Sequence, residues 1–270
     1  MVNTDKRQRH KEGHRSRVEA ARIAYEQRRR KRRIIGAVIV LAVLVGVFVA
    51  VTLTSGDDSK DASTTTSTTA GSTVPTVTAP APGAAIDGAT PCPPADGSAK
   101  RTTAFDDPPP TCIKPSKTYI ALVKTSEGDV TIALDVKQSP ISVNNFVVLA
   151  RYHYFDGLPF HRIVPGFVDQ TGSSGVPDIG NGGPGYDLPN EAPNRKYAAG
   201  DVAMAQGGGK NSGSQFFFTI DPTSLQGGTY PILGKVSNGE DVVQAINKLG
   251  NSSEQPTKSV TITSVTITES

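Results

Sequence analysis

Twenty consecutive residues, Ile34 to Leu53 (IIGAVIVLAVLVGVFVAVTL), carry no charge, and their apolar positions leave no polar face of the kind a soluble helix needs. At 1.5 Å rise per residue, about 20 helical residues cross the roughly 30 Å hydrocarbon core of a bilayer. A helix satisfies its own backbone groups in lipid, so the many β-branched Val and Ile do not argue against one there. The run is therefore predicted to be a single transmembrane helix. Residues 1–33 hold thirteen of the 28 Lys and Arg against four acids, and the basic cluster ends in Arg28 to Arg33 beside the apolar run. Basic residues at one end of a span favour the cytoplasmic side, which leaves residues 1–33 as a cytoplasmic tail and everything after Thr54 outside. A charge run in this place reads as a topology and anionic-lipid signal rather than a nucleic-acid site. A cleaved signal peptide is the alternative, against which both the basic region and the apolar run are long.

Composition changes abruptly after the span. Residues 54 to about 91 contain Ser63 to Thr69 (STTTSTT) and a Pro/Ala/Thr stretch reaching Pro91, too few large apolar side chains to offset the entropy of ordering. A flexible tether is expected, within a linker extending over 54–115. The only cysteines, Cys92 and Cys112, lie in that linker on the side expected to be oxidising, so a disulfide is expected. Two inert thiols and a redox pair are the alternatives, but there is no CxxC spacing, and no further Cys or His cluster suggests a metal.

The distal segment, 116–270, reads as a domain. Residues 118–134 (TYIALVKTSEGDVTIAL) alternate apolar and polar side chains on both sides of Ser126 to Asp129, a hairpin pattern. After Pro140, Val143, Phe146, Val147, Leu149 and Ala150 recur at helical spacing as far as the Tyr152 to Gly157 turn. A second helix is expected over Glu240 to Leu249, and the chain closes on VTITSVTIT, residues 260–268, as a strand. Many short strands with two helices favour a barrel with helices over its openings.

Phe160 to Gln170 (FHRIVPGFVDQ), Met204-Ala205-Gln206 and Gly213 to Phe217 (GSQFF), followed by Leu233 to Val236 and the helix from Gly239 to Ile246, resemble in order and separation the active-site stretches of the cyclophilin family. The resemblance spans essentially all of residues 118–270. It implies a mainly β fold: a closed eight-stranded antiparallel cyclophilin-like barrel capped by two helices, here preceded by the transmembrane helix and a disordered linker. It also implies peptidyl-prolyl cis/trans isomerase activity without cofactor or metal, acting on proline-containing polypeptides. In that family the catalytic arginine corresponds to Arg162, the residue that orients it to Gln170, and the hydrophobic pocket for the proline ring to Phe167 and Phe217. Val168, Leu225 and Tyr230 extend the wall, and Ala205, the main chain at Gln206, and Gln215 belong to the substrate-binding stretches. Taken singly, the two phenylalanines would be core aromatics and Arg162 a surface side chain; their joint spacing within the resemblance sets them apart. His161 is read as structural.

Several positions depart from the family pattern. No tryptophan exists in the chain and Leu225 stands at the nearest position, which puts cyclosporin binding in doubt. Tyr230 replaces the histidine common in eukaryotic members, as in bacterial relatives, Thr171 interrupts the usual double glycine, and Val168 replaces a common methionine. The loop Gly207 to Asn211 has its own composition. All lie around the pocket rather than at Arg162, so altered substrate preference is expected more than lost activity. The functional expectation is an isomerase assisting the folding of exported or envelope proteins, a monomer held at the cell membrane by residues 34–53. The alternative is a tethered module that binds proline peptides without catalysis.

Overall fold

The computed structural model describes residues 80–174, 180–207 and 210–270. The basic tail, the predicted span 34–53 and the first part of the linker lie outside these. Among the described residues no helix is long and apolar enough to cross a membrane.

The alternating pattern of residues 118–134 forms the hairpin expected of it, β3 (Tyr119–Thr125) and β4 (Gly128–Leu134). Tyr119, Ala121, Val123, Val130 and Ile132 are buried on one face of it, as the two-residue period of a strand requires. The pair belongs to a sheet with β5 (Arg162–Val164), β6 (Val168–Thr171), β7 (Asp187–Leu188), β8 (Asp201–Gly207), β9 (Lys210–Thr219), β10 (Ile232–Asn238) and β11 (Ile262–Glu269). Its order is β11-β3-β4-β10-β8-β9-β6-β5, all antiparallel, with β7 pairing β9.

The expectation of a closed eight-stranded barrel is corrected in two respects. Nine strands make the sheet, and its ends β11 and β5 share no ladder. The segment leading into β5 meets the start of β11 through an isolated bridge, Pro159 to Thr261, and single backbone bonds such as Phe160 N–H to the Val260 carbonyl at 2.9 Å. Pro159 has no N–H to contribute, so pairing across this seam is interrupted and the sheet is a curled half-barrel.

Helix α1 (Pro140–Arg151) begins with proline at its first position, where the missing N–H costs nothing. The free N–H groups of Ile141 and Ser142 are met instead by the Glu191 carboxylate at 2.9 and 2.7 Å. Its expected inner residues Val143, Phe146, Val147, Leu149 and Ala150 are all buried, and Phe146 joins an aromatic cluster with Phe155 and Phe216 at ring separations of 5.1 and 5.3 Å. Helix α2 (Glu240–Asn247) starts at Gly239, whose φ of 86° suits glycine, and buries Val243 and Ile246.

The outer face of α1 is covered as well, by residues expected to be linker. Residues 80–115 lie along the domain as an ordered extension. Within it β1 (Ala84–Ile86) pairs in parallel with β2 (Thr102–Phe105). Asn144 on α1 accepts the N–H groups of Cys112 and Ile113 and donates to the Pro110 carbonyl, while Phe105 and Ile113 are buried in the main core. Cys92 and Cys112 form a disulfide with Cα atoms 5.5 Å apart, the geometry ordinary for such a bond. The ordered fold therefore begins by residue 80, well before the expected boundary at 116.

Candidate active site

Strand register places the chemistry. Arg162 on β5 lies opposite Gln170 on β6, Gln170 opposite Phe217 on β9, and Phe217 opposite Ala203 on β8. The four form one row across four strands, and the two-residue alternation puts this row on the outer face. Their neighbours point the other way: Ile163, Asp169, Phe216 and Phe218 are buried inside. This alternation separates Phe217 from the two core phenylalanines on either side of it.

A small apolar cluster distinct from the main core backs the row. Val168, Tyr197, Ala203, Ala205, Phe217, Leu225 and Ile232 are buried in it, with Val164, Phe167 and Tyr230 partly buried against it. Phe217 and Tyr230 meet edge to face at 5.5 Å. Above this floor opens a cavity of about 150 Å³ lined by Arg162, Phe167, Val168, Gln170, Ala205, Gln206, Phe217, Leu225 and Tyr230. Nine of the residues expected from sequence thus come together around one space. Gln215 does not line it. It lies in an adjoining groove of about 530 Å³ with Gly180 to Gly183, Gly185 to Asp187 and Ser212, which also reaches Gln170, Ala205 and Gln206.

Hydrogen bonds tie the polar members into a chain. Arg162 Nε donates to Glu254 Oε2 at 2.7 Å, and its Nη1 approaches Gln170 Oε1 at 3.4 Å. Gln170 Nε2 donates to Gln215 Oε1 at 2.9 Å, and Gln215 Nε2 donates to the carbonyls of Gly180 and Gly182. Each amide has its oxygen and nitrogen used in a fixed sense, which holds the Gln170 oxygen toward the guanidinium. At Ala205 the β8–β9 register shifts, so Ala205 has no partner across that ladder, and the Gln206 amide is tied to Asn211 at 2.7 Å. The main chain beside the cavity is thereby left out of regular pairing.

Two titratable groups lie behind the row. Burial pushes the Asp169 carboxyl up to about 7, against an opposing hydrogen bond from Asn247. Burial, and then the nearby Arg162 charge, push His161 down to about 4, so its ring is neutral at pH 7. Although Gln215 lies near, among the described residues neither ring nitrogen of His161 has a hydrogen-bond partner.

Glu254, Tyr197 and Asn247 escaped the sequence reading. Tyr197 donates its hydroxyl to the Tyr230 carbonyl at 2.9 Å and packs on that ring. Asn247 accepts the Gly166 N–H and donates to the Val164 carbonyl and Asp169, clamping the turn between β5 and β6. Each reaches the site from a distant loop or helix end, and no local pattern marks it.

The family described as cyclophilin type peptidyl-prolyl cis-trans isomerase/CLD matches residues 120–267, more than half of the chain. The chain belongs to this family. A peptidyl-prolyl cis-trans isomerase of Helicobacter pylori is 37% identical over 128 residues, covering 46% of this chain and 77% of that protein. One of Synechococcus elongatus is 34% identical over 122 residues, covering 45% and 83%. A crystal structure of a cyclophilin type peptidyl-prolyl cis-trans isomerase of Cryptosporidium parvum superposes with a TM-score of 0.51 at 25% identity, covering 56% of this chain and 98% of that one. A second structure of that protein was determined in the presence of the dipeptide Ala-Pro. The chain is thus a peptidyl-prolyl cis-trans isomerase. The extension over residues 80–115 lies before the family match.

Proposed function

We propose that the 150 Å³ cavity receives the proline ring and that Arg162 drives rotation of the bond preceding it. The observation that carries this is the single row Arg162, Gln170 and Phe217, with Phe167 beside it, around one cavity. A cavity of about this volume has room for one small ring.

The barrier to X-Pro rotation, about 18–20 kcal/mol, is the loss of amide resonance, and uncatalysed exchange takes about 10–100 s at 25 °C. A catalyst has only to bind the twisted amide better than either planar form. In the twisted state the imide nitrogen regains its lone pair, and the permanently charged Arg162 fork donates a hydrogen bond to it. Phe167, Phe217, Leu225 and Tyr230 hold the ring, while the main chain at Ala205 and Gln206 receives the residue before proline. Both ends of the substrate are held as the amide between them turns. The test is a kinetic split on a short Ala-Pro peptide. Phe217→Ala raises KM more than it lowers kcat, whereas Arg162→Ala lowers kcat; equal effects of both variants on both constants would contradict these roles.

The setting is proposed from the rest of the chain. Residues 1–33 form a cytoplasmic tail, 34–53 a single membrane span, and the Ser/Thr-rich segment up to residue 80 a tether holding the isomerase outside the cytoplasm. The Cys92–Cys112 disulfide supports an oxidising compartment. The clients are then exported or envelope polypeptides whose proline bonds isomerise as they fold.

A further inference from the structure

Among the described residues only His153 and Glu254 have a positive φ without being glycine. In each the side chain is in use: His153 bonds Asp156 and the Gly97 carbonyl, and Glu254 bonds Arg162. At φ 61° a glutamate occupies a conformation that suits glycine. The loop imposes it. Asn251 accepts the Glu254 N–H with its carbonyl, and with its side chain those of Ser253 and Gln255. The Glu254 carbonyl in turn accepts the N–H of Ile163, the residue after Arg162, at 3.0 Å. Gly250 packs so near the Ile163 carbonyl that a Cβ there would stand 2.6 Å from it. The loop is therefore fastened along β5, with the Glu254 carboxylate directly beside the guanidinium.

As a stabilising ion pair this contact is poor, since the side chains are 35% and 47% exposed and water screens them. Its geometry serves orientation better. Glu254 takes the Nε edge of Arg162, and Gln170 faces Nη1, so the plane of the fork is set at two points. Among the described residues Nη2 has no partner. We infer that Glu254 is a positioning residue that fixes the Arg162 fork so that its Nη groups present to the substrate amide before substrate arrives. The inference rests on the assignment of Arg162 proposed above.

Glu254→Gly separates positioning from structure, because it removes the carboxylate while relieving the backbone. The expected result with the full chain is an unchanged or higher Tm together with a fall in kcat/KM of about threefold to fivefold, the size of a partly exposed ion pair. The loss falls on kcat, with KM for an Ala-Pro peptide nearly constant. Glu254→Gln, which keeps an acceptor, recovers part of the rate, and adding Glu254→Gly to Arg162→Ala produces no further loss. Wild-type kcat in Glu254→Gly, alongside a strongly impaired Arg162→Ala, would overturn the inference and leave the arginine's assignment standing. An Arg162→Ala variant as fast as wild type would instead remove the assignment itself.

Discussion

Asp169 and His161 have buried side chains close to the catalytic row, and acid acts on them in opposite directions. Between pH 4 and about 7 the folded Asp169 keeps a proton that the unfolded chain has lost, so its contribution is present below pH 4 and disappears as pH rises through 7. For His161 the unfolded chain takes up the proton first, near 6.5, and the folded one only near 4, so stability falls as pH drops through that interval. The two slopes oppose each other. Asp169→Asn, which keeps the acceptor for Asn247, is expected to gain stability over wild type as pH rises from 4 to 7, by up to about 4 kcal/mol at one pKa unit per 1.36 kcal/mol. Urea midpoints at pH 4.5 and 7.5 measure it, and a constant difference between the two proteins would show that the carboxyl titrates normally. At this scale Arg162, Phe167, Gln170 and Phe217 were legible only through the resemblance of two short stretches, 160–170 and 213–217, to the cyclophilin family. Glu254 and Tyr197 were not, since they are brought in by tertiary contacts across 92 and 33 residues.

At the scale of elements, the hairpin β3–β4 and both helices lay where hydrophobic period and turn residues put them. The extension over 80–115 did not follow its composition. Its Pro-, Ser- and Thr-rich segments contribute few apolar side chains, and they are held by backbone hydrogen bonds, by Phe105 and Ile113, and by one disulfide. None of these has a period to read. The extension also touches the site: Phe105 N–H bonds the Pro184 carbonyl at 2.8 Å, and its ring meets Tyr186, which lines the 530 Å³ groove. Breaking the disulfide with Cys92→Ser and Cys112→Ser removes a cross-link spanning 20 residues, worth about 3 kcal/mol by loop-closure arguments. Thermal melts are expected to shift down accordingly, with or without reductant. Reduction that left wild-type Tm unchanged would show that the extension's other contacts suffice.

Across the whole molecule, the anchor proposed at 34–53 predicts that the full chain stays with membranes after alkaline carbonate washing, while a chain starting after Leu53 is released. Release of both would remove the anchor. Any such shortened protein must keep residues 80–115, because a cut at 116 would strip Asn144 on α1 of its partners and expose Phe105's place in the core. The proposed catalysis stands on Arg162. Its most direct test is the cis-to-trans rate of an Ala-Pro peptide, followed with the full-length wild type and Arg162→Ala at equal concentrations and with matching folded spectra. The prediction is a large acceleration by wild type that falls at least about tenfold in the variant, a loss of roughly 1.4 kcal/mol of transition-state stabilisation or more. Equal acceleration by both proteins would contradict it.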